Sequence, residues 1–244
     1  MFDPNSTRPF RVSRSKIELF IQCHLCFYLN QRHGIWTPDS PPFVLNIRID
    51  QLIKKDANHL RKSQTPDHRA EEFGVHAVPF NHPEMKFWMD TRCGLEELHQ
   101  ETNLTVFGAV DDVWLVNNEK LSVIDEKATH SNHKITESAF WDQYKRQIEL
   151  YSWLLSRQGL YYPVSEVGYF VRFNTDKSQD SFKSDSLEFE YEVIPHTCNN
   201  GWIEPTLIAI KECLMRDTAP EPSETCKWCE YRTAAAAAQT KIRA

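Results

Sequence analysis

"LSVIDEKAT", residues 121–129, is an apolar strand that finishes in acid, acid, base. Leu121, Val123 and Ile124 suit a sheet interior, yet Asp125, Glu126 and Lys127 follow with no turn residue between. Residues i and i+2 share one face of a strand, so Asp125 and Lys127 point one way and Glu126 the other. A carboxylate beside an ammonium at a sheet end suits phosphate chemistry. The carboxylate can hold Mg²⁺, a hard cation that takes oxygen ligands, and the ammonium can steady a scissile phosphate or orient the attacking water. The competing reading is a solvated strand tip carrying a surface ion pair worth little.

The segment upstream offers the carboxylate partner that a metal needs. "NLTVFGAVDDVWLV", residues 103–116, reads as a second long strand, and Asn117-Asn118-Glu119-Lys120 as the tight turn of a hairpin. Asp111 and Asp112 then lie mid-strand after Gly108, where acid is costly unless something binds it. Cross-strand neighbours on one face stand about 5 Å apart, close enough to share an ion. Alternation lets only one of Asp111 and Asp112 share the Asp125 face.

Outward from the hairpin, the periodicity gives a helix over 13–35, with Ile17, Phe20, Ile21 and Phe27/Tyr28 at helical spacing, then a break at "TPDSPP" (37–42). A second amphipathic helix follows over 43–62, with Leu45, Ile49, Leu52 and Ile53 on one side. Residues 63–100, with Pro66, Pro79 and Pro83, read as mostly irregular. The strongest helix runs over 137–159, with Phe140, Tyr144, Gln147, Tyr151 and Leu154 down one face and Gly159 closing it. Two strands (164–174 and 187–194) and a helix from Asn200-Gly201 complete the series, with Pro205 tolerable near the first turn of that helix. The order defines one α/β domain over 1–244, with a core at about 40–215 and Cys-bearing terminal segments at about 13–35 and 218–232.

The chain has 244 residues, 41% of them hydrophobic and 25% charged, which excludes disordered and collagen-like classes. No apolar run approaches the roughly 20 residues of a spanning helix, and the N-terminus lacks a signal-peptide core, so a cytoplasmic protein without membrane contact is expected. Net charge is −6, against a surface coated for nucleic acid. Residues 1–63 nevertheless carry +5 and the remainder −11, so the first quarter can supply phosphate contacts or simply a solvated helix face. Four of the seven cysteines form two pairs, Cys23-x-x-Cys26 and Cys226-x-x-Cys229, while Cys93, Cys198 and Cys213 stand alone as packing residues or free thiols.

Gly108-x-x-Asp111, then Asp125-x-Lys127, then Gln147-x-x-x-Tyr151 resembles the motif order of the PD-(D/E)XK nuclease superfamily. It is most similar to the branch of the RecB and AddB nuclease domains and the iron–sulfur Cas exonucleases. "SRSKIELFIQCHLCFYL" (13–29) and "CKWCEYR" (226–232) resemble that branch's opening and closing Cys segments. The resemblance implies an α/β restriction-endonuclease-like core, a central mixed β-sheet flanked by helices, with the N- and C-terminal segments joined by a four-cysteine site. It implies Asp111 and Asp125 as ligands of Mg²⁺ or Mn²⁺, Lys127 as the catalytic lysine, and Gln147 and Tyr151 on the DNA-facing side. Glu126 is expected to ligate through its main-chain carbonyl.

Two positions depart from the branch. Where a Gly-x-x-x-His segment is common, the chain has Asn46 and Asp50; Asp50 suits Mg²⁺ or Mn²⁺ as well as imidazole does, or is an ordinary exposed helix residue, and Lys54 stands one turn on. Where a last Cys is expected the chain reads "TAAAAAQ" (233–239), so Cys26 completes a set with Cys23, Cys226 and Cys229. Four thiolates fit Zn²⁺ or a [4Fe–4S] cluster, and the pattern leaves the two open. The expected function is a metal-dependent DNA nuclease, an exonuclease acting on single strands or duplex ends in repair, recombination or phage- and CRISPR-related processing. A helicase or recombination partner would be another chain, because no P-loop is present. The rival readings are a catalytically inactive nuclease-fold module that binds DNA or a partner, and a zinc-stapled structural protein.

Overall fold

The hairpin forms between β5 (Asp112–Val116) and β6 (Lys120–Thr129), paired antiparallel from Asp112↔Ile124 to Val116↔Lys120. Its turn is built by Asn117 and Asn118, at φ 52° and 57°, left-handed values that asparagine tolerates and hairpin turns favour. The structure, a computed structural model, describes residues 1–38, 44–130, 141–175 and 187–243. Phe140, counted on the third helix face, and the end of the expected break at 37–42 lie outside these residues.

Around this hairpin stands a five-stranded mixed sheet in the order β2-β5-β6-β7-β8, adding β2 (Ala77–Pro79), β7 (Val167–Thr175) and β8 (Phe189–Thr197). Only β6 and β7 run parallel, and α6 (Asp142–Leu155) provides the crossover that such a pair requires. One face of the sheet presents Trp114, Ile124, Val171 and Val193, covered by Ala70 of α4 (His68–Glu72). The other presents Phe170 and Ile194 to Ile148 and Tyr144 of α6. Gly168 lets α6 approach, for a Cβ there would lie 2.4 Å from Ile148. These strands belong with α3 (Val44–Ser63) and α5 (Met85–Trp88) to one compact unit, residues 42–97 and 107–200.

A second unit gathers residues 1–41, 98–106 and 201–244. It holds β1 (Phe10–Ser13), α1 (Arg14–Gln22), α2 (His24–His33), α7 (Ile203–Met215) and α8 (Lys227–Arg243). Helices α1 and α2 pack on α7, and the Tyr28 hydroxyl donates to the Arg216 carbonyl at 3.1 Å. Pro205 sits in the first turn of α7, where it displaces no helical hydrogen bond. A separate three-stranded sheet has the order β1-β4-β3, with β3 at Leu95–His99 and β4 at Leu104–Gly108.

Three expectations about local structure change. The helix over 13–35 is two helices, because Cys23 is extended (φ −162°, ψ 109°) and turns the chain between them. The strand over 103–116 is also two, since β4 pairs in the three-stranded sheet and Ala109–Asp111 leave the ladder, the Val110 amide donating to the Trp88 carbonyl. Residues 63–100, expected to be irregular, contain four short elements. One of them, α4, is capped by Asp67, whose carboxylate accepts from the Arg69 amide at 3.0 Å. No helix among the described residues is long and apolar enough to cross a membrane.

Candidate active site and cysteine centre

Parity along β6 sorts the three charges. Asp125 pairs with Phe170 across the parallel ladder and so shares the α6 face, as does Lys127 two residues on. Asp125 is 1% exposed, and the Lys127 ammonium lies 2.5 Å from its Oδ2. The same ammonium stands 4.9 Å from the centre of the Tyr144 ring, a cation–π contact that holds it over α6. Trp141 stacks on Tyr144 from the solvent side.

Asp111 and Asp112 part company. Asp112 shares the Ile124 face, is buried, and forms an ion pair with Arg61 of α3. Burial pushes its carboxyl up to about 6 against the pull of Arg61. Asp111 lies just past the last ladder pair, and its Oδ2 accepts from the Glu126 amide at 3.0 Å. Its Oδ1 is 3.7 Å from Lys54 Nζ, which also lies 2.8 Å from Asp50 Oδ1. Burial alone would depress the Lys54 ammonium, but Asp111, Asp50 and Glu126 together hold it above its ordinary value.

A cavity of about 240 Å³ opens here, lined by Asn46, Asp50 and Ile53 of α3, Glu126 and Lys127 of β6, and Tyr144. Gln147 and Tyr151 lie further along α6, Gln147 half-buried and Tyr151 buried, and neither lines the cavity. Nor do Asp111 and Asp125, which meet the lining through Lys54, the Glu126 amide and Lys127. Lys54 and Tyr144 therefore join the site by contact. The signal for Lys54 in the sequence is its i,i+4 spacing from Asp50, and Tyr144 is visible there only as one more apolar-face residue.

The donor chemistry fits a hard divalent cation. Asp50, Asp111, Asp125 and Glu126 are all oxygen donors, and among the described residues the buried Oε2 of Glu126 has no hydrogen-bond partner. Burial first, then Asp111 and Asp112, raise the Glu126 carboxyl well above its ordinary value, with Arg69 and Lys54 opposing. Among the described residues these carboxylates do not close into a group of three; each of Asp50, Asp111 and Asp125 instead faces a lysine. The raised Glu126 carboxyl has a measurable consequence. Below the carboxyl's unfolded value both states are protonated and no cost arises. As pH rises past it the unfolded chain ionises first, so the fold loses stability until the folded pKa is passed. Glu126→Gln should raise the melting temperature at pH 8 with no divalent ion added, and leave it unchanged at pH 4. Equal gains at both pH values would refute the buried carboxyl as the source.

The four paired cysteines converge. Their ligand atoms all lie within 4.8 Å of one another, with Sγ···Sγ distances of 3.7 Å for Cys23–Cys229, 3.6 Å for Cys26–Cys226 and 3.5 Å for Cys26–Cys229. The extended Cys23 sets one sulfur beside α2 and the first turn of α8. Burial works to raise the Cys23 thiol, but hydrogen bonds from the Ser223 and Cys26 amides and from the Cys229 and Cys226 side chains together bring the thiol down to about 7. Arg232 donates to Cys229 Sγ at 3.6 Å. Amide and guanidinium donors around sulfur are the surroundings of a thiolate that binds metal.

The chain belongs to the PD-(D/E)XK nuclease superfamily, whose family model matches residues 44–234. That span holds the sheet, the Asp125–Lys127 strand end, α6 and the second cysteine pair. No curated protein matches the chain.

Proposed function

We propose that the protein is a divalent-metal-dependent deoxyribonuclease that hydrolyses phosphodiester bonds, an exonuclease acting in DNA repair, recombination or phage- and CRISPR-related processing. The observation that carries this reading is the Asp125–Lys127 pair at the open end of β6, beside the carboxylate-lined cavity, in a chain of this superfamily. Asp111 and Asp125, with Asp50 and Glu126, would hold Mg²⁺ or Mn²⁺. What such an ion supplies when bound is positive charge against the phosphate and a water of lowered pKa. Lys127, clamped between Asp125 and the Tyr144 ring, keeps N–H donors beyond the one turned to Asp125 for the phosphate and needs little reorganisation to present them. Gln147 and Tyr151, which are not among the cavity lining, serve the site from α6 as positioning residues in this reading.

The cysteine centre would hold one zinc ion. A tetrahedral ion with bonds of about 2.3 Å sets its four sulfurs about 3.8 Å apart, close to the 3.5–3.7 Å of three of the sulfur pairs, with all four sulfurs within 4.8 Å of one another. In a [4Fe–4S] cubane each thiolate stands on its own iron, so the sulfurs are roughly 6 Å apart. The resemblance to the iron–sulfur branch pulls the other way; the compact sulfur group supports the zinc reading.

The test is divalent-dependent degradation of end-labelled linear DNA against a closed circle. Loss of the linear substrate with the circle intact supports an exonuclease, cleavage of the circle supports an endonuclease, and no cleavage of either removes the enzymatic reading. A second reading, a DNA- or partner-binding module that does not cut, is favoured by one observation: Lys54 already stands between Asp50 and Asp111, where a cation would bind. Salt-sensitive DNA binding without divalent-dependent cleavage would establish it.

A further inference from the structure

Beside the cysteine centre, in the unit formed by the chain's two ends, lies a cavity of about 440 Å³ that the nuclease reading does not use. Its walls are unusual for a soluble surface. Trp36, Trp228 and Tyr231 line it while remaining 66%, 46% and 71% exposed, and Ile35 adds a further exposed apolar side chain. Large rings left in water together mark a contact surface rather than a core. Among the described residues the one charge in the lining is Arg232, and no carboxylate takes part. A second cation stands at its edge: Lys16 Nζ lies 4.1 Å from the centre of the Trp36 ring. Arg232 and Trp228 are also fixed in place, because Cys229 beside them belongs to the centre that Arg232 contacts.

Flat rings lining one cavity, with cations and no carboxylate, match one polymer. A single strand of nucleic acid offers successive π-faces for stacking and a phosphate between each pair for the cations. An apolar peptide would match the rings but bring no charge for Lys16 or for the outer face of Arg232, whose other partner is the Cys229 sulfur, and a duplex hides its base faces. We propose that this aromatic groove is a binding site for single-stranded DNA, with bases stacked on Trp36, Trp228 and Tyr231 and phosphates paired with Arg232 and Lys16. The choice of DNA over RNA rests on the nuclease reading; the stacking geometry does not.

The experiment measures binding apart from cleavage. The full chain, purified with its cysteine-bound metal, is titrated into fluorescein-labelled oligothymidylate with magnesium and manganese left out. Wild type should bind the single strand in preference to a duplex or an oligoribonucleotide, and its tryptophan fluorescence should be quenched. Trp36→Ala and Tyr231→Ala should each weaken binding about tenfold, the loss expected for one stacked base. Trp36→Phe should restore most of it. Both side chains are mostly exposed, so folding is not at stake, and an unchanged metal content verifies it. Wild-type affinity in both alanine variants, or a preference for duplex or RNA, overturns the proposal. The two readings fail separately: cleavage with unchanged binding in the variants sinks the groove alone, and ring-dependent binding without any cleavage sinks the nuclease alone.

Discussion

Asp125→Asn and Lys127→Ala each abolish Mn²⁺-dependent degradation of linear DNA, by about a thousandfold, the scale at which a preorganised charge acts on a transition state. The two variants reach that loss by different routes. Asp125 is 1% exposed and its counter-charge is the Lys127 ammonium at 2.5 Å. Removing Lys127 takes from a buried carboxylate the ammonium that faces it, a loss on the order of 3 kcal/mol for a buried ion pair, so Lys127→Ala should melt earlier with no divalent ion present. Manganese should return part of that loss, because the ion supplies the missing positive charge beside Asp125. Asp125→Asn removes the carboxylate, leaves Lys127 over the Tyr144 ring, and should show little gain in melting temperature on adding manganese. The double variant Asp125→Asn/Lys127→Met carries neither charge, and should be nearly as stable as wild type yet inactive. The decisive measurement pairs activity with melting temperature, with and without manganese. A folded Lys127→Ala protein that degrades DNA within about tenfold of wild type would show that another residue does this work.

These expectations were open to sequence reading because strand parity is a strong constraint. Leu121 to Lys127 fix which charges share a face, and the two asparagines of the turn fix the register. The choice between Asp111 and Asp112 was reduced to one by the same alternation, and the structure sends Asp112 to Arg61 and Asp111 to the Glu126 amide. Interruptions were not legible. Nothing in "NLTVFGAVDDVWLV" says that its first half pairs in a different sheet, because both halves alternate in the same way and sheet membership is set by distant partners. Cys23 breaks its helix for a similar reason. Cysteine has no strong backbone preference, and its extended conformation answers to the three other sulfurs.

The site itself was half visible. Carboxylates announce themselves in an apolar strand, since burying them is costly. Tyr144 does not, because an aromatic residue on the inner face of a helix reads the same whether it packs in hydrocarbon or underlies an ammonium. Glu126 carries the opposite lesson. A ligand role through its main chain leaves its side chain without a task, yet the structure puts that residue in the cavity wall with a buried oxygen that no described residue satisfies.

Cys226→Ser should lose the metal and unfold the unit that contains it. Cys23 and Cys26 are separated from Cys226 and Cys229 by about two hundred residues of chain, and the longer the loop a cross-link closes, the more freedom it removes from the unfolded state. Metal binding is folding energy in such a site, on the order of 10 kcal/mol or more for structural zinc, so losing one thiolate of four should cost far more than a buried hydroxyl substitution does. The expected result is a fall of α8 helicity in circular dichroism together with loss of bound metal, while Cys93→Ser, whose sulfur stands outside the quartet, changes neither. Elemental analysis of wild type then separates the two centres that the cysteine pattern allows. Four sulfurs within 4.8 Å of one another, three pairs of them at 3.5–3.7 Å, predict a colourless protein with a single zinc. A brown protein with iron and sulfide would require the four thiolates to spread apart, with Cys23 and the first turn of α8 moving outward to make room, and would show that this chain keeps the cluster of the branch it resembles.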